Sequence, residues 1–190
     1  MRITEAISES ILTKQRILAD AHLIEMIREV SATCAKTFCD GHKVLFCGNG
    51  GSAADAQHLA AEFSGRFNYD RAPLPSEALH VNTSYLTAVA NDYSFEEVYS
   101  RILRGIGNKG DVLIAISTSG NSGNIIRALE TARALGIITV GLTGATGGKM
   151  KDLCDFLINV PSTETPRIQE SHIMIGHIIC EYVESTIFPK

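Results

Sequence analysis

The sequence predicts an α/β protein: a mainly parallel sheet flanked by helices in a three-layer sandwich, preceded by an N-terminal helical extension. Three observations carry that expectation. Short apolar, often β-branched runs alternate with stretches of helical periodicity along most of the chain, the pattern of a sheet covered on both faces. Two of the runs end in loops of glycine and hydroxyl residues that open helices, Cys47-Gly48-Asn49-Gly50-Gly51-Ser52 and Ser117-Thr118-Ser119-Gly120-Asn121-Ser122. Before the first strand, residues 1–40 already hold apolar side chains at helical spacing.

In residues 4–38, Ile7, Ile11, Ile17, Leu23, Ile27 and Val30 recur between charges and without proline, which predicts two helices or one bent one. This segment adds apolar surface beyond what a sandwich needs, so part of it is expected to pack against another subunit. Residues 43–47 read as a short buried strand, and residues 53–65 as the helix after the first loop. Pro73 and Pro75 mark a surface connection, followed by a short strand over residues 77–81 and a helix over residues 84–91. A helix over residues 95–104 runs through Gly105, Gly107 and Gly110 into the strand of residues 112–116, which ends at the second loop. Residues 123–135 form the next helix, closed by Gly136 in a left-handed cap, and residues 137–142 the next strand. A turn at residues 144–148, a last strand at 156–160, a polar loop containing Pro161 and Pro166, and a long helix over 168–187 complete the chain.

A chain of 190 residues with 45% hydrophobic content suits one domain with a full core. Its net charge of -4 disfavours non-specific binding to nucleic acid. Five cysteines, Cys34, Cys39, Cys47, Cys154 and Cys180, are odd in number and form no CxxC, as expected of free thiols in a reducing compartment, by default the cytoplasm. With no signal-type apolar core at the N-terminus and no apolar run of membrane length, export and membrane insertion are disfavoured.

The two loops share the chemistry of a phosphate site made without lysine. Small residues let backbone amides approach an anion, hydroxyls add donors, and each helix start contributes roughly half a positive charge. Both should lie beyond the carboxyl ends of parallel strands, where open α/β sheets bind ligands. Taken singly, either loop is also explained as a tight turn and helix cap; five hydroxyl residues, Ser52, Ser117, Thr118, Ser119 and Ser122, favour a phosphorylated small molecule. The first loop also fits a loose dinucleotide fingerprint, but Asp70 lies in a polar stretch rather than at the end of the next strand, where the ribose-binding acid belongs.

His58 and Glu62 stand at i and i+4 of the helix after the first loop, which puts imidazole and carboxylate on one face. Gln169, His172 and His177 interrupt the otherwise apolar last helix and need partners there. His58, Glu62, Gln169 and His177 suit a divalent metal such as zinc, or alternatively hydrogen-bond one another or a ligand. Eight residues separate Gln169 from His177, about 12 Å on an ideal helix, so sharing one ion asks both to stretch. Asn91 and Asp92 fit capping of the helix that follows, or Asp92 instead accepts hydrogen bonds from sugar hydroxyls.

Five segments carry a resemblance over nearly the whole chain: CGNGGSAADAQHLAAEFSGRF (47–67), TAVANDYSFEEV (87–98), GDVLIAISTSGNSGN (110–124), GLTGATGGKM (141–150), and RIQESH (167–172) followed by His177. With these the chain is similar to the sugar isomerase (SIS) domain superfamily and, within it, resembles the phosphoheptose isomerase family. The resemblance implies an SIS-type sandwich, a homotetramer with sites at subunit boundaries, and conversion of D-sedoheptulose 7-phosphate into D-glycero-D-manno-heptose 7-phosphate at the start of bacterial heptose synthesis. It implies substrate binding by Asn49, Gly50, Gly51, Ser52, Glu62, Asn91, Asp92, Ser117, Thr118, Ser119, Ser122 and Gln169, and one zinc ion per subunit on His58, Glu62, Gln169 and His177. Pro166 departs from the pattern, since some members carry an acidic residue directly before RIQE.

Aldose–ketose exchange moves one proton between adjacent carbons and another between their oxygens. The expected carbon base is Glu62 and the oxygen-side acid His177. A metal-bound carboxylate is a poorer base, so the two roles of Glu62 compete unless its coordination changes during the reaction; alternatively zinc polarises the carbonyl. The rival from another class is a non-catalytic phosphosugar sensor or replication-initiator-associating adaptor, which would keep the loops but has no chemical need of Glu62 with His177.

Overall fold

The computed structural model describes residues 2–190. Five strands, β1 (Val44–Gly48), β2 (Ser76–Ala78), β3 (Val112–Ile116), β4 (Ile138–Thr143) and β5 (Phe156–Asn159), form one parallel sheet in the order β2-β1-β3-β4-β5. Every residue of β1 and β3 is buried, as continuous apolar runs must be when helices cover both faces. Among the described residues the helices are α1 (Ile3–Ala19), α2 (Ala21–Cys39), α3 (Gly51–Ser64), α4 (Thr83–Asp92), α5 (Val98–Ile106), α6 (Gly123–Leu135) and α7 (Thr165–Ile187).

Alternation along the strands divides the core in two. Val44, Phe46, Val112 and Ile114 point to the side of α2, α3 and α7, where they meet Val30, Leu59, Phe63, Ile175 and Ile179. Leu45, Cys47, Leu113 and Ala115 point to the side of α5 and α6, against Tyr99, Leu103, Ile125 and Leu129. The predicted three layers are thus present.

The strand order places the site. From β1 the chain goes to β2 on one side and later returns to β3 on the other, so the switch point lies between β1 and β3. Gly48, the last residue of β1, pairs in register with Ile116, the last of β3, so the two glycine loops leave the sheet side by side.

Several boundaries differ from expectation for local reasons. Of the two arrangements expected for the N-terminal segment, two helices are present, because the Asp20 carboxylate accepts the Leu23 amide at 3.0 Å and starts α2 afresh. Helix α3 begins at Gly51, inside the glycine loop, and β2 is only three residues long. Residues 95–104 divide into a 3-10 turn, Phe95–Glu97, and α5. Pro166 stands in the first turn of α7 instead of the preceding loop, where its missing N–H costs no helical bond. Gly136 takes the expected left-handed cap, with φ of 72°.

Helix α1 lies on α7: Ser10 Oγ donates to Glu170 Oε2 at 2.6 Å, and the Arg167 guanidinium donates to the Ala6 carbonyl. Beside these contacts the helix leaves Ile3, Ile7, Ile11 and Leu18 in solvent, with Ile3 80% and Leu18 76% exposed. Among the described residues no helix is long and apolar enough to cross a membrane, and all five cysteines are free thiols.

Candidate active site

The first loop passes from β1 into α3, and a reciprocal amide pair ties it to the second. Asn49 Nδ2 donates to Asn124 Oδ1 at 2.8 Å, and Asn124 Nδ2 donates back to Asn49 Oδ1 at 2.9 Å. Tyr99 fixes the same turn from beneath by donating its hydroxyl to the Gly48 carbonyl. In the second loop Ser117 Oγ and Ser122 Oγ lie 3.1 Å apart. Ser122 is the N-cap residue of α6, yet its side chain makes no capping bond, so the hydroxyl pair sits at an uncapped helix start. Gly120, at φ of +65°, has no room for a side chain, because a Cβ there would stand 2.2 Å from the Gly147 carbonyl oxygen. The turn after β4 is locked to this loop by the Gly144 amide on Thr118 O and the Met150 amide on Gly120 O.

Beside the loops, α3 and α7 bring together three groups from distant parts of the chain. His58 Nε2 is 3.2 Å from Glu62 Oε1 and 3.0 Å from His177 Nε2. Donor atoms of His58, Glu62 and His177 all lie within 4.8 Å of one another. Two imidazole nitrogens and a carboxylate oxygen converging on one point form a donor set that fits zinc. The Phe67 ring covers one side, its centroid 5.6 Å from that of His177.

The remaining predicted residues fall into distinct positions. Ser52 is buried in the first turn of α3, Gly50 and Gly51 are exposed at its start, and Thr118 and Ser119 lie partly buried and exposed in the second loop. Gln169 is packed against the first loop, since a Cβ on Gly51 would meet its Nε2 at 2.6 Å. On the continuous helix α7, that position is two turns before His177, about 12 Å by ideal rise. Asn91 and Asp92 end α4, exposed, with Asn91 Nδ2 donating to Asp92 Oδ1 at 2.8 Å. They cap neither the 3-10 turn nor α5, so the capping explanation of this pair fails. His172 belongs elsewhere: fully buried, it contacts the Thr143 carbonyl through Nε2 at 3.2 Å, and burial lowers its pKa to about 4 against that contact. Asp70 lies before β2 and not at its end, where Ala78 is followed by Leu79 and His80, so the acid of the dinucleotide fingerprint is out of place.

Two polar side chains were missed in the sequence. Asn124, 3% exposed, looked like one more helical residue until its pairing with Asn49 joined the loops. Asp55 lies three residues before His58 and seven before Glu62, so the helical period alone puts it on their stripe. Burial pushes its carboxyl up while His58 and His177 pull it down, and its Oδ2 is buried without a hydrogen-bond partner. Such an orphan beside a donor cluster is what a ligand or water satisfies.

A family model described as SIS domain matches residues 9–144. The fold and paired loops are therefore those of an SIS domain protein. A phosphoheptose isomerase of Aneurinibacillus thermoaerophilus is 58% identical over 98% of this chain and 94% of its own length. Phosphoheptose isomerase 2 of Campylobacter jejuni is 54% identical over 96% of the chain and 91% of the relative. The solved phosphoheptose isomerase of Neisseria gonorrhoeae superposes with a TM-score of 0.91 at 42% identity, covering 97% of both chains. The chain belongs to the phosphoheptose isomerase family.

Proposed function

We propose that the protein converts D-sedoheptulose 7-phosphate into D-glycero-D-manno-heptose 7-phosphate through an enediol, supplying the aldose from which nucleotide-activated heptoses are made. The observation that carries this reading is the convergence of His58, Glu62 and His177 within 4.8 Å beside two phosphate-type loops. Family membership supports the substrate class, since relatives spanning the chain are named for that activity.

Ser117, Thr118, Ser119 and Ser122, with the start of α6, hold the phosphate, and its binding energy positions the reacting carbons. Asn49, Gly50, Gly51 and Ser52 line the sugar from the first loop, and Gln169 reaches it from α7. Asn91 and Asp92 accept hydrogen bonds from sugar hydroxyls. Glu62 takes the proton from C1 of the ketose and returns it to C2. His177 gives a proton to the C2 oxygen as the enediol forms and recovers one from the C1 oxygen as the aldehyde appears, so protons balance.

His58, Glu62 and His177, joined by Gln169, would hold the zinc ion that the family pattern implies. Bound there it would supply Lewis-acid polarisation of the carbonyl. A carboxylate committed to a cation is a weaker base, so zinc titration against turnover separates the two assignments to Glu62.

The assembly is a homotetramer of single-domain SIS chains with sites at subunit boundaries, working in the cytoplasm. The exposed Ile3, Ile7, Ile11 and Leu18 on α1 support burial of this helix between copies. Incubating the purified protein with sedoheptulose 7-phosphate and following the aldose by NMR tests the activity. Aldose should accumulate, and stripping divalent ions with a chelator should abolish turnover until zinc is restored. A protein that binds the ketose tightly and never exchanges its C1 protons with solvent deuterium would instead be a sensor.

A further inference from the structure

Behind the cluster lies a buried ion pair, Arg71 with Glu184. The Arg71 and Glu184 side chains are 2% and 1% exposed, with Arg71 Nε 3.1 Å from Glu184 Oε1. Arg71 turns most of its other donors on the end of α3, its Nη1 also donating to the Ala72 carbonyl at 3.0 Å. Its Nη2 donates to the Glu62 carbonyl at 2.8 Å, and its Nη1 donates to the Phe63 and Gly65 carbonyls at 2.7 and 3.2 Å. Carbonyls in the last turn of a helix lack helical partners, so one guanidinium from outside the helix completes its terminus.

Glu184 does the corresponding work on the following loop. Its Oε1 accepts the Phe67 amide at 2.9 Å and its Oε2 the Asn68 amide at 2.7 Å. Phe67 is the residue whose ring covers His177. Glu184 stands seven residues after His177, two turns along the same face of α7. Tyr69 closes the loop by donating to the Phe188 carbonyl at 2.7 Å, just past the helix end.

We propose that Arg71 and Glu184 are positioning residues: together they hold the backbone of Glu62 and the ring of Phe67 against α7, setting the separation of Glu62, His58 and His177. The proposal builds on the functional reading above, but concerns the geometry of the cluster whatever it binds. A buried ion pair is a poor source of net stability, because desolvation offsets most of its attraction and apolar residues of like volume often do as well. Here both partners terminate on backbone groups beside the cluster. That placement gives them a task beyond holding the chain together.

Arg71→Lys keeps the charge and loses the fork. Phe67→Leu keeps the amide on Glu184 and removes the ring, and it serves if Arg71→Lys folds poorly. Leu103→Ala, on the far side of the sheet, supplies a control of comparable destabilisation. Three quantities are read on folded protein: zinc affinity by chelator competition, kcat and KM separately, and the imidazole 15N resonances of His58 and His177 without metal. Both cluster variants should weaken zinc binding and lower kcat by about 10- to 100-fold, with KM within about twofold, and should shift the two imidazoles. The control should melt earlier with all three unchanged. The proposal is overturned if zinc affinity and both imidazole signals stay as in the parent, or if Leu103→Ala moves them equally. Should the parent neither isomerise the heptose phosphate nor bind zinc, the functional reading falls, and the resonances still decide whether the ion pair sets the cluster.

Discussion

Glu62 and His177 come from helices more than a hundred residues apart in sequence, yet both reach the nitrogen of His58 within a single chain. If Glu62 is the carbon base, removing its charge at constant shape removes proton transfer and little else. Glu62→Gln should therefore lose roughly 10²- to 10⁴-fold in kcat with the phosphate still bound, measured by NMR turnover and by KM. Gly120 offers a test of the second loop. A methyl group there meets the Gly147 carbonyl oxygen at 2.2 Å on a backbone at φ of +65°, so Gly120→Ala should cost on the order of 1–3 kcal/mol, visible as a lower melting temperature, and should raise KM. The loops were legible because their chemistry is local: glycine and hydroxyl residues at a strand end read the same in sequence and in space. Asn124 and Asp55 were not, since what distinguishes each is a neighbour that only the assembled sheet supplies.

At the scale of elements, α7 carries much of the site and much of the pH response. His172 stays neutral in the folded chain down to about 4, whereas unfolded it takes a proton near its ordinary value of 6.5. Between those values the unfolded state binds more protons, so stability falls as pH is lowered and levels off, for this group, below the folded pKa. At roughly 1.4 kcal/mol per pH unit the loss over that window is about 3 to 4 kcal/mol. Melting curves between pH 7 and 4.5 should show it, and His172→Gln, which keeps a donor for the Thr143 carbonyl, should flatten the slope. His80, also lowered by burial, contributes with the same sign. Glu184 acts in a lower window: burial raises its pKa, but the Phe67 and Asn68 amides and Arg71 outweigh that and leave it depressed. Its contribution is complete above the ordinary carboxylate pKa and disappears as pH falls through the depressed one. The boundaries the sequence misplaced have equally local causes. Pro166 looks like a helix breaker but suits a first helical turn, and a 3-10 turn before α5 has the same apolar spacing as one more turn of α-helix.

For the whole molecule, the open question is what α1 faces. Its inner side is anchored on α7 through Ser10, Lys14, Glu170 and Arg167, so the helix has a defined place without any second chain. Alongside those contacts it exposes Ile3, Ile7, Ile11 and Leu18, an apolar stripe of the kind that chains cover by association. If copies associate through this stripe, charges introduced there should split the assembly while leaving each sandwich folded, because neither position contributes to the core. For the proposed homotetramer, Ile7→Glu with Ile11→Glu should therefore shift the mass measured by light scattering from four chains to one or two, with far-UV circular dichroism retained. Turnover discriminates further. Sites built at subunit boundaries would lose activity in step with dissociation, whereas the His58, Glu62 and His177 cluster, complete within one chain, should keep zinc affinity in the dissociated variant. A variant that remains tetrameric would place the interface on another face, and one that dissociates with full kcat would remove the neighbouring subunit from the chemistry.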